Sequence, residues 1–227
     1  MDRYIRHIQL EGFGPGGQRL LGAADVLVVG AGALGTVASL YLGAAGTGRL
    51  TIVDFDSIDE TNLQRQLSYT EGDVGRPKAA TLAAKVRAAN SSIGVEAVCR
   101  RLTAENLPQM VAGRSVVLEC SDNPATKYAV TDACEAAGVP YVFGGIAQYR
   151  GQVFAWQPGS VRYREVFPDE SDYLPASEGG VLATVPGIVG SIQATEAIKI
   201  VARLGSPLFN RLLLVDALAP SFTILDL

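Results

Sequence analysis

The chain reads as an α/β protein: a Rossmann-like, doubly wound, mostly parallel sheet, extended by antiparallel strands in its C-terminal half. Three observations predict this. Short apolar runs alternate with helical patterns up to residue 143, and the first run ends in a Gly-x-Gly-x-x-Gly turn. After Gly151 the alternation stops, and strand-like runs follow with one long helix among them.

Residues 26–29 form an apolar run ending at Gly30, the pattern of a parallel strand buried on both faces. Residues 34–45 carry small and apolar side chains at helical spacing, broken by Gly46 and Gly48, and 50–53 is a second buried strand. Pro77 suits the first turn of a helix reaching about residue 89, because proline loses no needed hydrogen bond there. Residues 95–98 and 115–119 read as strands, with a helix near 104–111 between them. Pro124 opens a helix ending near Gly138, before a strand at 141–143. Beyond Gly151, runs at 152–156, 211–215 and 222–225 predict strands, and 188–204 predicts a long helix. Residues 157–180 are polar, acidic and proline-containing, which predicts a mobile or functional loop. No repeat or linker divides the chain, so residues 1–227 are expected to form one domain.

Bulk composition narrows the function. With 48% hydrophobic and 19% charged residues, 227 residues can bury a substantial core. A net charge of -4 argues against a nucleic-acid surface, and no apolar run approaches the roughly 20 residues that cross a bilayer. The opening MDRYIRHIQL is too polar for a signal segment. Cys99, Cys120 and Cys134 form no CxxC pair and fit reduced thiols. Together these features predict a cytoplasmic protein that binds neither membrane nor nucleic acid.

The glycine turn Gly30-Ala31-Gly32-Ala33-Leu34-Gly35 lies between a predicted strand and helix, where unpaired helix N–H groups can face a phosphate. Asp54 ends the next strand, the usual place for an acid that grips ribose hydroxyls. These features alone fit an NAD-dependent oxidoreductase. Asp56, Asn62, Arg65, Gln66 and Lys78 follow, in DFDSIDETNLQRQ and GRPK. Cations near the phosphates suit attack on a triphosphate, because charge builds on the leaving pyrophosphate. Asp122, just past the strand ending at Glu119, can supply an oxygen ligand to Mg²⁺ shared with phosphates. A non-catalytic nucleotide-binding partner subunit is the third reading. The lone His7 need not be catalytic.

The chain resembles the MoeB/ThiF family of adenylyltransferases, which is similar to the adenylation domain of ubiquitin-activating enzymes. RYIRHIQLEGFG at 3–14, VVGAGALG at 28–35 and DFDSIDETNLQRQ at 54–66 carry the likeness. VGRPKA at 74–79, ECSDN at 119–123 and GVLATVPGIVGSIQATEAIK at 180–199 complete it in the family's order. The resemblance implies ATP- and Mg²⁺-dependent adenylation of the C-terminal Gly-Gly carboxylate of a small ubiquitin-like sulfur carrier, for thiamine, molybdopterin or related biosynthesis. It also implies an ATP site formed by Gly30, Gly32, Gly35, Asp54 and Asp56. Asn62, Arg65, Gln66 and Lys78 would stand at the phosphates, and Asp122 would hold Mg²⁺. Arg6 would reach the ATP of a neighbouring subunit, which requires a homodimer. Arg6, Arg65, Lys78 and Asp122 are the implied catalytic set.

Two departures from the family stand out. Where many relatives carry zinc-binding cysteines, this chain has Arg162 and Glu165, which predicts no zinc and allows an ion pair between the two. Where many carry a cysteine before the Gly-Gly-Val segment, residues 174–178 have none, and Ala176 falls nearest the position. Cys120 lies near the site but reads as a small buried residue. The expected enzyme stops at the acyl-adenylate and leaves sulfur delivery to a separate protein or to sulfide. A passage for the carrier tail is expected near Gly144, Gly145 and Gln148, beneath the 157–180 loop.

Overall fold

The computed structural model describes residues 3–168 and 179–227. Eight strands form one sheet in the order β3-β2-β1-β4-β5-β6-β7-β8. The parallel half contains β1 (Asp25–Val29), β2 (Arg49–Val53), β3 (Gly94–Val98), β4 (Val116–Glu119) and β5 (Tyr141–Ala147). The antiparallel half continues with β6 (Arg150–Trp156), β7 (Arg211–Asp216) and β8 (Ser221–Asp226). The strand order reverses between β1 and β4, and in such sheets the crevice at that switch point receives ligands.

Helices cover both faces. On one lie α3 (Ala33–Ala45), α4 (Lys78–Ala89) and the long α8 (Val185–Ala202), over a core that includes Val26, Val28, Leu50, Ile52, Leu118 and Val189. On the other, α5 (Leu107–Val111), α6 (Pro124–Ala137) and α7 (Tyr163–Val166) cover Leu27, Val117, Tyr141, Phe143 and Phe154. Alternate residues of β1 and β4 serve opposite cores, as the period of two in a strand requires. At the N-terminus, α1 (Ile5–Ile8) and α2 (Gly14–Ala23) anchor through Phe13 and Leu21.

Several boundaries depart from expectation for local reasons. The expected helix near 104–111 begins only at Leu107, because Asn106 Oδ1 takes the N–H of Thr103 and closes a turn ahead of it. The long helix starts at Val185 with Pro186 in its first turn, and stops where Arg203 turns left-handed at φ 56°. Pro77 is the cap residue before α4, not part of its first turn. The helices α1 and α2 had no sequence signal; the glycine-rich GPGGQRLLGA is a poor helix former that owes its state to tertiary packing. Within the expected 157–180 loop, α7 forms and buries Tyr163, while 174–178, with Ala176, lie outside the described residues. The expected pair between Arg162 and Glu165 does not form. Glu165 Oε2 accepts the backbone N–H of Arg162 at 2.7 Å, and the Arg162 guanidinium lies 4.0 Å from Glu135.

Candidate functional site

The C-terminal ends of β1, β2 and β4 open into a cavity of about 280 Å³ at the switch point. Two glycines of the turn after β1 serve packing. Gly30 has φ 97°, and a Cβ there would lie 2.8 Å from the Cys120 carbonyl oxygen, so only glycine lets the β1 and β4 turns touch. A Cβ on Gly35 would fall 1.8 Å from the Gly30 carbonyl, which explains the close seat of α3; Gly35 itself does not line the cavity. Gly32 caps α3 and faces the opening, where a Cβ would meet only Gln66 at 3.6 Å.

Asp54 leaves β2 and ties the turn in place. Its Oδ2 accepts from the Ala31 N–H at 2.7 Å and its Oδ1 from the Asp56 N–H at 2.8 Å. Burial pushes its carboxyl above the usual range, opposed by those two N–H donors and by Lys78. Buried Tyr69 braces the same turn from below, donating to the Ala31 carbonyl at 2.7 Å and lying 3.2 Å from the Lys78 carbonyl. Desolvation raises its phenol further, so it stays a donor.

The other predicted residues divide. Asp56, Arg65, Gln66, Lys78 and Asp122 line the cavity with Gly30, Gly32 and Asp54. Lys78 is buried at the start of α4, with Nζ 3.3 Å from Asp56 Oδ2. Gln66 is buried too, and its Oε1 has no hydrogen-bond partner among the described residues. Asp122 carries no hydrogen bond or ion pair among the described residues and stands exposed at the cavity edge. Asn62 is not part of the lining: its Oδ1 accepts from the Asp59 N–H at 3.3 Å and closes a capping box in the 3₁₀ turn that presents Arg65. Arg6 sits exposed on α1, bonded to Gln9 at 3.2 Å, and does not line the cavity of its own chain. His7 packs edge-on against Phe13 and is also absent from the lining.

Sequence reasoning missed Phe55, Arg100 and Arg101. The Arg101 guanidinium lies over the Phe55 ring, 3.7 Å from its centroid, and both arginines line the cavity after β3. The signal was present, since ligands lie beyond the carboxyl end of every strand at this edge, and CRRL follows β3 as DFD follows β2. Four cations thus border the cavity: Arg65, Lys78, Arg100 and Arg101. Among the described residues no three His, Cys, Asp or Glu side chains group to hold a metal. A cation here would therefore take Asp122 and oxygens of its ligand, the habit of Mg²⁺ rather than of a caged ion. The Cys120 thiol is buried, and desolvation with nearby Glu119 pushes it far above its ordinary range.

A second, open groove of about 500 Å³ runs over β5 to β8, lined by Gly145, Gln152, Leu214 and Thr223 among others. Ile146 borders both this groove and the first cavity. Of the residues expected along a tail passage, Gly145 lines the groove. Gly144 does not, because the site of its missing Cβ is filled by Gln193, and Gln148 instead turns the β5–β6 hairpin at φ 53°. Among the described residues no helix is long and apolar enough to cross a membrane.

Known proteins agree with this architecture. Residues 4–227 match the ThiF family. The SAMP-activating enzyme E1 of Haloferax volcanii is 44% identical over 225 residues, covering 98% of this chain and 83% of that protein. The sulfur carrier protein adenylyltransferase of Thermus thermophilus is 42% identical over 231 residues, covering 98% of this chain and 85% of its own. The structure of E. coli MccB with ATP has the same fold, with a TM-score of 0.86 at 24% identity over 100% of this chain and 71% of that one. With a match from Tyr4 to Leu227 and relatives alike over nearly all of it, the chain belongs to the ThiF family.

Proposed function

We propose that this chain uses ATP and Mg²⁺ to adenylate the C-terminal glycine carboxylate of a small ubiquitin-like sulfur carrier ending in Gly-Gly, releasing pyrophosphate. The observation that carries the reading is the convergence of Arg65, Lys78 and Asp122, which has no partner among the described residues, on one cavity with an open glycine turn. A nicotinamide cofactor has little use for so many cations near its phosphates. The likeness to two relatives, a SAMP-activating enzyme E1 and a sulfur carrier protein adenylyltransferase, supports the choice of substrate.

In the reaction a carboxylate oxygen of the carrier attacks the α-phosphorus, a new P–O bond forms, and the bond to the bridging oxygen breaks. Pyrophosphate leaves with that electron pair. The attacking carboxylate is already ionised near neutral pH, so no general base is needed and positioning and charge stabilisation do the work. Lys78 and Arg65 stabilise charge on the leaving group, Gly32 lets the phosphates approach the start of α3, and Asp54 faces the ribose. Asp122 would hold Mg²⁺ together with phosphate oxygens, and the ion would neutralise their charge. Arg6 acts on the site of a second copy, so the working unit is a homodimer. The groove past Ile146 admits the carrier tail in extended form, with Gly145 leaving room for its backbone. With the Cys120 thiol held protonated, the chain stops at the acyl-adenylate and a separate donor supplies sulfur.

The test is ATP–pyrophosphate exchange with and without candidate carriers ending in Gly-Gly. Exchange that requires a carrier is the expected result, and the carrier that gives it names the pathway. ATP binding without exchange for any carrier would point to a non-catalytic partner, and stabilisation by NAD instead of ATP to an oxidoreductase.

A further inference from the structure

Beneath the junction of the two cavities lies an ion pair with both side chains fully buried. Lys127 Nζ, from α6, is 2.5 Å from Glu119 Oε2, at the last residue of β4. The same ammonium donates to the Gly144 carbonyl of β5 at 3.0 Å and lies 4.7 Å from the centre of the Phe143 ring. The other carboxylate oxygen of Glu119 accepts the Ser121 N–H at 3.0 Å and is bonded by the Ser121 hydroxyl. One buried pair therefore fixes the start of the Ser121–Asn123 turn and the strand beside it.

The opposite face of the sheet holds a second anchor. Gln193, buried on α8, donates to the Glu119 carbonyl at 2.9 Å, and its Oε1 accepts from the Cys120 thiol at 3.6 Å. The end of β4 at Glu119 is gripped by α6 from one side and α8 from the other, three residues before Asp122.

A buried ion pair is weak evidence for stability. Desolvating both charges costs about as much as their attraction returns, and apolar residues of similar volume often serve as well or better. A pair kept at this place, joining the turn that carries Asp122 to the strand that walls the second groove, calls for a reason other than stability.

We infer that Glu119 and Lys127 are positioning residues for adenylation, holding Asp122 and the Gly144–Ile146 stretch in register so that phosphate and incoming carboxylate meet in line. This rests on the adenylation reading. The test is the paired Glu119→Leu/Lys127→Met variant, which removes both charges of the pair together. Its melting temperature should stay close to wild type and its KM for ATP within about 3-fold, while kcat for carrier-dependent exchange falls about 100-fold, the scale of an ångström misplacement near the chemistry. Backbone hydrogen exchange at residues 120–123 should quicken, with β1 and β2 unchanged. The Glu119→Asp/Lys127→Arg variant, with a carboxylate one methylene shorter facing a guanidinium of longer reach, keeps the charges paired and should recover most of kcat even if the apolar variant fails to fold. Unchanged kcat or unchanged exchange at 120–123 in a folded apolar variant would overturn the positioning role, as would a low kcat in a folded Asp/Arg variant. A wild-type chain with no carrier-dependent exchange sinks the adenylation reading itself, a distinct failure.

Discussion

The two halves of the sheet are built on different rules. In the parallel half, β1, β2 and β4 are buried on both faces, and the turns beyond their C-terminal ends line a cavity where Gly32, Asp54 and Asp122 gather. In the antiparallel half the strands themselves are the surface: Gly145, Gln152, Leu214 and Thr223 form the floor of the groove, and β8 is exposed throughout. The first half concentrates charge at points; the second spreads a shallow floor of mostly uncharged residues, with the Arg150–Asp216 pair the charge along it. A small charged ligand suits the former and an extended polypeptide the latter, and Ile146 is where they meet.

If the halves divide labour this way, damage to each should have its own signature. The largest effect belongs to the charged side: Lys78→Ala and Asp122→Ala are each expected to lower kcat/KM for exchange by about 100-fold or more. Full activity in either variant would remove that residue from the proposed mechanism. On the floor of the groove, Gly145→Val should raise the KM for the carrier by about 10-fold while leaving the affinity for ATP, read by calorimetry, unchanged. A Cβ at Gly145 meets the Gln152 amide at 3.0 Å and Phe143 at 3.1 Å, contacts small shifts can relieve, so the fold should survive. Weakened ATP binding in this variant would mean that the halves are not separable. Gly144→Val is the poorer probe, because its Cβ would enter the space of Gln193.

A smaller effect tests the brace under the glycine turn. Tyr69→Phe removes the hydroxyl held against the Ala31 and Lys78 carbonyls and should cost about 1 kcal/mol of stability by denaturant titration. ATP affinity should fall a few-fold with carrier KM unaffected. The smallest effect is electrostatic and remote. Asp73 is held down to about 2, first by the Lys85 ammonium and then by Thr70. A carboxylate lowered by folding contributes stability that is complete above its ordinary value of 3.8 and is lost as pH falls toward about 2. Lys85→Met should flatten the loss of melting temperature between those two pH values and leave nucleotide binding at neutral pH intact. An acid limb as steep as that of wild type would show that Lys85 does not set the Asp73 carboxyl.

The same contrast explains what could be read in advance. The parallel half was legible because both of its signals are local: a buried strand is an apolar run, and the residue that lines the cavity is a polar one just beyond its end. Asp54 after 50–53 and Asp122 after 115–119 were found that way. Asn62 stands in the polar run beyond Asp54, and its Oδ1 caps its own turn, a use that spacing along the sequence does not show. Arg101 follows β3 as Asp54 follows β2, but that it faces the cavity depends on its stacking against Phe55, from a different strand end, which the local sequence does not show. The groove was half-legible. Two adjacent glycines marked the spot, but which one faces the opening follows from the register of β5 on β6, with Gly145 opposite Gln152, and register is a property of pairing. The helices α1 and α2 escaped notice because their state comes from the surface they cover.

The sheet also ends differently at its two borders. At β3 the outer strand carries Glu96, with Arg49 across from it at 3.8 Å, and charge of this kind discourages a further strand from joining. At β8 the border presents Phe222 and Ile224 on one face and Leu225 on the other, more than 40% exposed and flanked by little charge. Such a border is a template, and growth of the sheet by one more strand is favoured in one direction only. Handling the isolated chain at high concentration should therefore be limited by colloidal association at this rim, long before the stability of the fold sets any bound.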